Sequence, residues 1–240
     1  MRTVAVLSAL AEEQSGLRHQ LSQFAATQTV THAGRAFCLG ELAGLKVILA
    51  LSGIGKVAAA TTATALIACF GAEQMVFTGV AGGLAPGVNV GDVVIANGFL
   101  QHDLDVSPLF PRYEVPSYGI SRFATDAALT AKLHSAAQPL ALQPAVRVHQ
   151  GLIISGDRFV ATRAESQALQ AALPDALAVE MEGAAVAQVC HDYRIPYAAV
   201  RAISDRADDD AHTDFNQFVR TVASRYADVI VMRLLSALPL

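Results

Sequence analysis

"ALAVEMEGAAVAQVCHDYRIPYAAVRAISD", residues 176–205, is the stretch on which the fold turns. It opens with a short apolar run (176–181), continues with small and apolar residues at helical spacing (182–193), and returns to an apolar run (197–204). Continuous apolar runs on either side of a helical pattern predict a strand–helix–strand unit. Strands that are apolar on both sides belong to a parallel sheet covered by helices on each face. Three residues resist that reading. Glu180 and Glu182 stand one place apart where the first strand meets the helix, and Arg201 lies inside the second strand. Charged groups are rarely buried without a partner, so each must be paired or employed.

The same alternation extends outward in both directions. Strands are predicted at 3–8, 44–52, 74–79, 92–105 and 147–155, and helices from near Glu12, over 56–71, over 125–138 with a Thr or Asp cap, and over 162–173. A final long helix is predicted over 214–238, and the Pro-rich segment 107–119 reads as loop. No internal repeat, low-complexity segment or linker interrupts the pattern. The expected architecture is therefore α/β, one domain over residues 1–240, a three-layer α/β/α sandwich around a central mixed, largely parallel sheet.

Of the 240 residues, 53% are hydrophobic and 16% charged, which suits a sizeable buried core rather than a disordered chain. A net charge of −4 without a basic cluster argues against a nucleic-acid partner. Cys38, Cys69 and Cys190 are scattered among apolar neighbours, as expected of free thiols in a reducing compartment. The apolar stretch at the N-terminus is short and runs into Glu12–Glu13, and no run reaches membrane-spanning length; the expected location is cytoplasmic.

In open sheets of this type ligands collect beyond the carboxyl ends of the strands. That rule selects Ser8–Glu13, Gly79–Gly83, Ser155–Phe159, Glu180–Glu182 and Ser204–Asp208. Glu12 and Glu13 either complement the dipole of a first helical turn or supply a general base. The segment TGVAGGLAPG (78–87) is either a tight turn or a close backbone approach to a ligand; it lacks the lysine of a phosphate-binding P-loop. Glu180 and Glu182 are either helix-start acids or acceptors for a pair of adjacent hydroxyls, such as a ribose diol. Arg201 forms either an ion pair with Glu13, Glu182 or Asp205, or part of a site in which a sheltered Asp205 keeps a proton to donate. Asp208–Asp210 read as a solvated loop. No HExxH or HxH pairing supports a metal, and Ser8, Ser52 and Ser155 lack a nucleophile elbow.

The ordered set SALAEE, LSGIGKVAAA, TGVAGGLAPGVNVGDVV, HDLDVS, GLIISGDRF, AVEMEGAAVAQVC and VRAISDRAD resembles the 5′-methylthioadenosine/S-adenosylhomocysteine nucleosidases of the nucleoside phosphorylase/hydrolase superfamily, from Val4 to Phe215. The resemblance implies a cofactor-free, metal-free hydrolase of N-glycosidic bonds that acts on adenine nucleosides. It implies that Glu13 activates water and that Asp205, supported by Ser204, protonates purine N7. Phe159 would stack on adenine while the Val160 backbone reads the base edge. Glu180, Met181 and Glu182 would bind the sugar, with Met181 beneath it and Glu182 on its hydroxyls. Arg201 would lie near the attacking water, and Ile54 and Phe215 would cover the 5′ end. The loop carrying Val106, Leu109 and Phe110 would reach a partner subunit in a homodimer. Val80 stands where many members carry a hydroxyl residue, and Leu109 and Pro111 stand where aromatics are common, so the choice between methylthio and homocysteinyl substituents stays open. Other readings are a purine nucleoside phosphorylase, a nucleosidase for another 5′-substituted adenosine or futalosine-type compound, and a nucleoside-binding protein without catalysis.

Overall fold

Alternation along the central strands divides the core into two layers. In β1 (Thr3–Ser8), Val4 and Val6 face one side while Ala5 and Leu7 face the other, and β4 (Leu45–Leu51) divides Val47 and Leu49 from Ile48 and Ala50 in the same way. Every second side chain points to the same face of a strand, so a run apolar at every position needs cover on both sides. One side is covered by α1 (Ser15–Phe24), α3 (Ala127–Ala137) and α7 (Ser224–Ala237); α2 (Lys56–Ala68) and α5 (Gly183–Tyr193) cover the other. The computed structural model describes residues 1–24, 27–143, 146–218 and 224–238.

The remaining elements are β2 (Gln28–His32), β3 (Arg35–Leu42), β5 (Gln74–Gly83), β6 (Val93–Gln101), β7 (Arg122–Ala124), β8 (Val148–Ser155), α4 (Arg163–Ala172), β9 (Ala176–Glu180), β10 (Tyr197–Asp205) and α6 (Ala211–Phe218). The strands join in a mixed sheet in the order β10-β6-β8-β9-β5-β1-β4-β3-β2, with β7 beside β6. β5 also pairs with β10, so β5, β10, β6, β8 and β9 close into a ring rather than remaining an open sheet. The ring closes because β5 is long. Its first part runs parallel to β1 and β10, while Gly82 and Gly83 pair antiparallel with Val179 and Ala178 of β9.

Several boundaries differ from the sequence reading, each for a physical reason. The segment 79–83 is strand, not turn, because its glycines let neighbouring side chains lie against the backbone. The first helix begins at Ser15 rather than near Glu12, since the Glu13 carboxylate folds back onto the preceding turn. The β2–β3 hairpin, on which the apolar patterning is weak and β2 is mostly exposed, was not anticipated. The helix expected over 214–238 is seen as α6 and α7; residues 219–223 between them lie outside the described residues. α3 is capped by Asp126, which accepts the Leu129 N–H at 2.7 Å. No helix among the described residues is long and apolar enough to cross a membrane.

Candidate active site

The C-terminal ends of β1, β5, β8, β9 and β10 and the loop after β4 converge on one cavity of about 340 Å³. All five segments selected by the strand-end rule contribute to its surroundings, and the two acids farthest apart in sequence, Glu13 and Asp205, both line it. Among the described residues no cluster of His, Cys, Asp and Glu could hold a metal ion.

Glu13 is 2% exposed. Three backbone N–H groups hold its carboxylate: Ala9 at 2.9 Å and Leu10 at 2.8 Å donate to Oε2, and Val80 at 3.0 Å donates to Oε1. It also lies against Gly79, where an added Cβ would sit 2.8 Å from Oε1. Burial raises its proton affinity, and the three N–H donors and the nearby Arg201 charge only partly offset that. The result is a stronger base than a free carboxylate, held in one orientation.

Asp205 is placed by a register shift in the β10–β5 pairing between Ile203 and Asp205, which re-aims the chain at the strand end. The Ser204 hydroxyl donates to Oδ2 at 2.7 Å and the Ala207 N–H to Oδ1 at 2.8 Å. Burial outweighs both and raises its proton affinity, so this carboxyl is suited to keeping a proton for transfer. Gly82 leaves room for it, since a Cβ there would lie 2.9 Å from Oδ1. The two acids thus rest on Gly79 and Gly82 of one strand, roughly 10 Å apart along it.

Glu180 and Glu182 have divided the work. Glu180 accepts the Gly183 N–H at the start of α5, bonds the Ser155 hydroxyl, and forms an ion pair with Arg201 at 2.7 Å. Glu182, at the N-cap position of α5 but making no cap bond, turns toward the cavity and accepts the Gly55 N–H at 2.8 Å. Burial and the neighbouring Glu180 charge push its pKa up to about 8.

Arg201 is 1% exposed and does not line the cavity. Its partner is Glu180, the acid absent from the candidates named for it, and its guanidinium lies 3.9 Å from the centre of the Phe77 ring. A buried pair of this kind is costly to break, because removing one partner leaves an uncompensated charge. It reaches the cavity through Glu180, which lines it, and through its charge acting on Glu13 and Glu182.

A family model described as the phosphorylase superfamily matches residues 3–236. The 5′-methylthioadenosine/S-adenosylhomocysteine nucleosidase of Bacillus thuringiensis (strain Al Hakam) is 40% identical over 229 residues, covering 95% of this chain and 96% of that protein. This chain belongs to the 5′-methylthioadenosine/S-adenosylhomocysteine nucleosidase family. Among solved structures, the family member from Neisseria meningitidis in complex with methylthio-immucillin-A superposes with a TM-score of 0.92 at 38% identity, covering 99% of this chain and 100% of that one. Futalosine hydrolase of Helicobacter pylori superposes with a TM-score of 0.89 at 30% identity, covering 97% of each chain.

The other candidate residues of this nucleosidase-family chain divide between cavity and surface. Ile54, Val80, Phe159, Val160, Met181, Ser204 and Phe215 line the cavity with the acids. Phe159 and Phe215 meet edge to face, their centres 5.6 Å apart, so they form a wall that is half open to solvent. Val80 contributes an apolar side chain to the lining and its N–H to Glu13; that N–H is available whatever the side chain. Val106, Leu109 and Phe110 do not line the cavity, and Leu109 is 79% exposed. His212 and Asn216, one turn apart on α6, also line it and were missed. Their one sequence signal is the i, i+4 spacing around Phe215, which only the docking of α6 beside β10 makes meaningful.

Proposed function

We propose that this chain hydrolyses the N-glycosidic bond of 5′-methylthioadenosine and S-adenosylhomocysteine, releasing adenine and the 5-thio-substituted ribose. The observation that carries this reading is the placement of Glu13 and Asp205 over Gly79 and Gly82, both facing one sheltered cavity. A nucleoside lying between them has its base toward Asp205 and its C1′ toward Glu13.

Adenine leaves poorly as an anion. Asp205 gives its proton to N7, the glycosidic bond lengthens, and the sugar gains positive charge. Carboxylate charge in a low-dielectric cavity stabilises that cation more than water would. Glu13 takes a proton from the water that attacks C1′, Glu182 accepts from the ribose hydroxyls, and Phe159 packs on the base. Met181 lies beneath the sugar, and Phe215 and Ile54 flank the 5′ substituent. Glu180 acts on the sugar indirectly, as the anchor of Arg201 and of the start of α5. Phosphorolysis is disfavoured because a dianion beside the Glu13 carboxylate would be repelled. The likeness to futalosine hydrolase keeps one second reading, a larger 5′-substituted nucleoside in the same cavity.

The reading extends to a cytoplasmic homodimer serving methionine salvage, with Val106, Leu109 and Phe110 against the partner. The test is release of the free purine base from methylthioadenosine, S-adenosylhomocysteine and futalosine (adenine from the first two, hypoxanthine from the third), with and without phosphate. Adenine release from the two thio-nucleosides, unchanged by phosphate, is expected. A 5-thio-substituted ribose 1-phosphate in the products would replace hydrolysis by phosphorolysis, and turnover of futalosine alone would select the second reading.

A further inference from the structure

A second cavity, of about 440 Å³, opens between α1 and the start of β3, with Ser52 and Gly53 in its wall. It shares no lining residue with the nucleoside cavity. Two arginines line it, Arg18 and Arg35, and no acidic residue does. Arg18, in the first turns of α1, makes no side-chain hydrogen bond or ion pair among the described residues. Arg35 follows the Ala33–Gly34 turn, and its Nη1 donates to the Ala33 carbonyl at 3.1 Å. Its Nε is buried with no partner among the described residues.

Two like charges lining one cavity, with no acidic residue between them, repel. One ligand chemistry removes the repulsion: a tetrahedral oxoanion, whose oxygens accept from the terminal N–H groups of planar guanidinium forks. We propose that the Arg18–Arg35 cavity binds a phosphate-class anion, either inorganic phosphate or the phosphate of a small phosphomonoester. The cavity has room for more than phosphate alone, so both sources fit.

The position of the cavity gives the anion a route to the catalytic residues. Gly53, in its wall, donates its N–H to the Ala9 carbonyl at 3.2 Å, and the Ala9 N–H holds Glu13. Two residues further on, the Gly55 N–H holds Glu182. The anion does not react there; it lies behind the loop, outside the cavity that contains Glu13 and Asp205.

The experiment is isothermal titration of the full chain with inorganic phosphate and, separately, ribose 5-phosphate, at constant ionic strength. One saturable site is expected for at least one probe, and the tighter probe identifies the source. The Arg18→Gln/Arg35→Gln double variant should bind at least about tenfold more weakly, because both charge-assisted contacts are lost, while releasing adenine normally in phosphate-free buffer. Glu13→Gln should bind the anion as the parent does. The proposal is overturned by the absence of saturable binding of either probe to the parent, by equal binding to the double variant, or by loss of binding in Glu13→Gln. Failure of the hydrolase reading shows differently, as phosphate incorporated into the sugar product.

Discussion

At the scale of single residues, burial decides what each acid does. Glu12 and Glu13 are adjacent and chemically alike, yet Glu12 is exposed while Glu13 is enclosed by three N–H donors. Glu13→Gln keeps the shape but cannot take a proton from water; turnover should fall below detection while a transition-state analogue still binds, as read by single-turnover kinetics and titration calorimetry. Asp205→Asn should reduce adenine release by roughly 10²–10⁴ for the lost proton transfer, and a variant within tenfold of the parent would remove the acid role. Glu182 supplies a pH prediction. Its pKa is raised to about 8, so it is largely protonated at neutral pH. Accepting from two ribose hydroxyls requires the carboxylate, so inhibitor binding below pH 8 must release this proton. Affinity should therefore rise with pH up to about 8 and then level off, a slope that Glu182→Gln removes. That a carboxylate lies at the β9 end was legible in the sequence. Which of Glu180 and Glu182 pairs with Arg201 and which lines the cavity without a cation was not, because that depends on Ser155 and Arg201 arriving from β8 and β10.

At the scale of elements, β5 does most to shape the site. Its glycines leave the space into which two carboxylates descend, one from the turn after β1 and one from the end of β10. Gly82→Ala retains backbone freedom, since Gly82 needs no positive φ, but its Cβ would displace the Asp205 carboxyl. A displacement near 1 Å can cost on the order of 10²-fold in rate, so kcat should fall steeply while the melting temperature changes little. Unchanged kcat would show that the acid tolerates displacement. The segment was read as turn or ligand approach because Gly suggests both from sequence alone. Its real task, clearance beneath side chains remote in sequence, has no local signature. Likewise, the helix–strand–helix rhythm was readable from apolar runs, whereas the β2–β3 hairpin has one weakly buried strand and produced no such signal.

At the scale of the molecule, the proposed homodimer rests on the loop following β6. Leu109 is 79% and Phe110 38% exposed, leaving an apolar tip on a chain whose other large side chains are mostly buried. Leu109→Asp with Phe110→Asp should shift sedimentation from dimer to monomer and weaken binding of substrates with long 5′ groups; a parent that sediments as a monomer would end that proposal. The sequence by itself determined the layer architecture, the strand ends at which chemistry belongs, and the acids available there, because continuous apolar runs and helical spacing are local, additive signals. Only the tertiary structure decided that the sheet closes through β5 and β9, that Arg201 pairs with Glu180, and that Glu13 and Asp205 share one cavity. Those outcomes depend on contacts between residues more than a hundred positions apart along the chain in the case of Glu13 and Asp205. Burial, hydrogen-bond geometry and charge proximity are properties of such contacts, and no stretch of chain carries them alone.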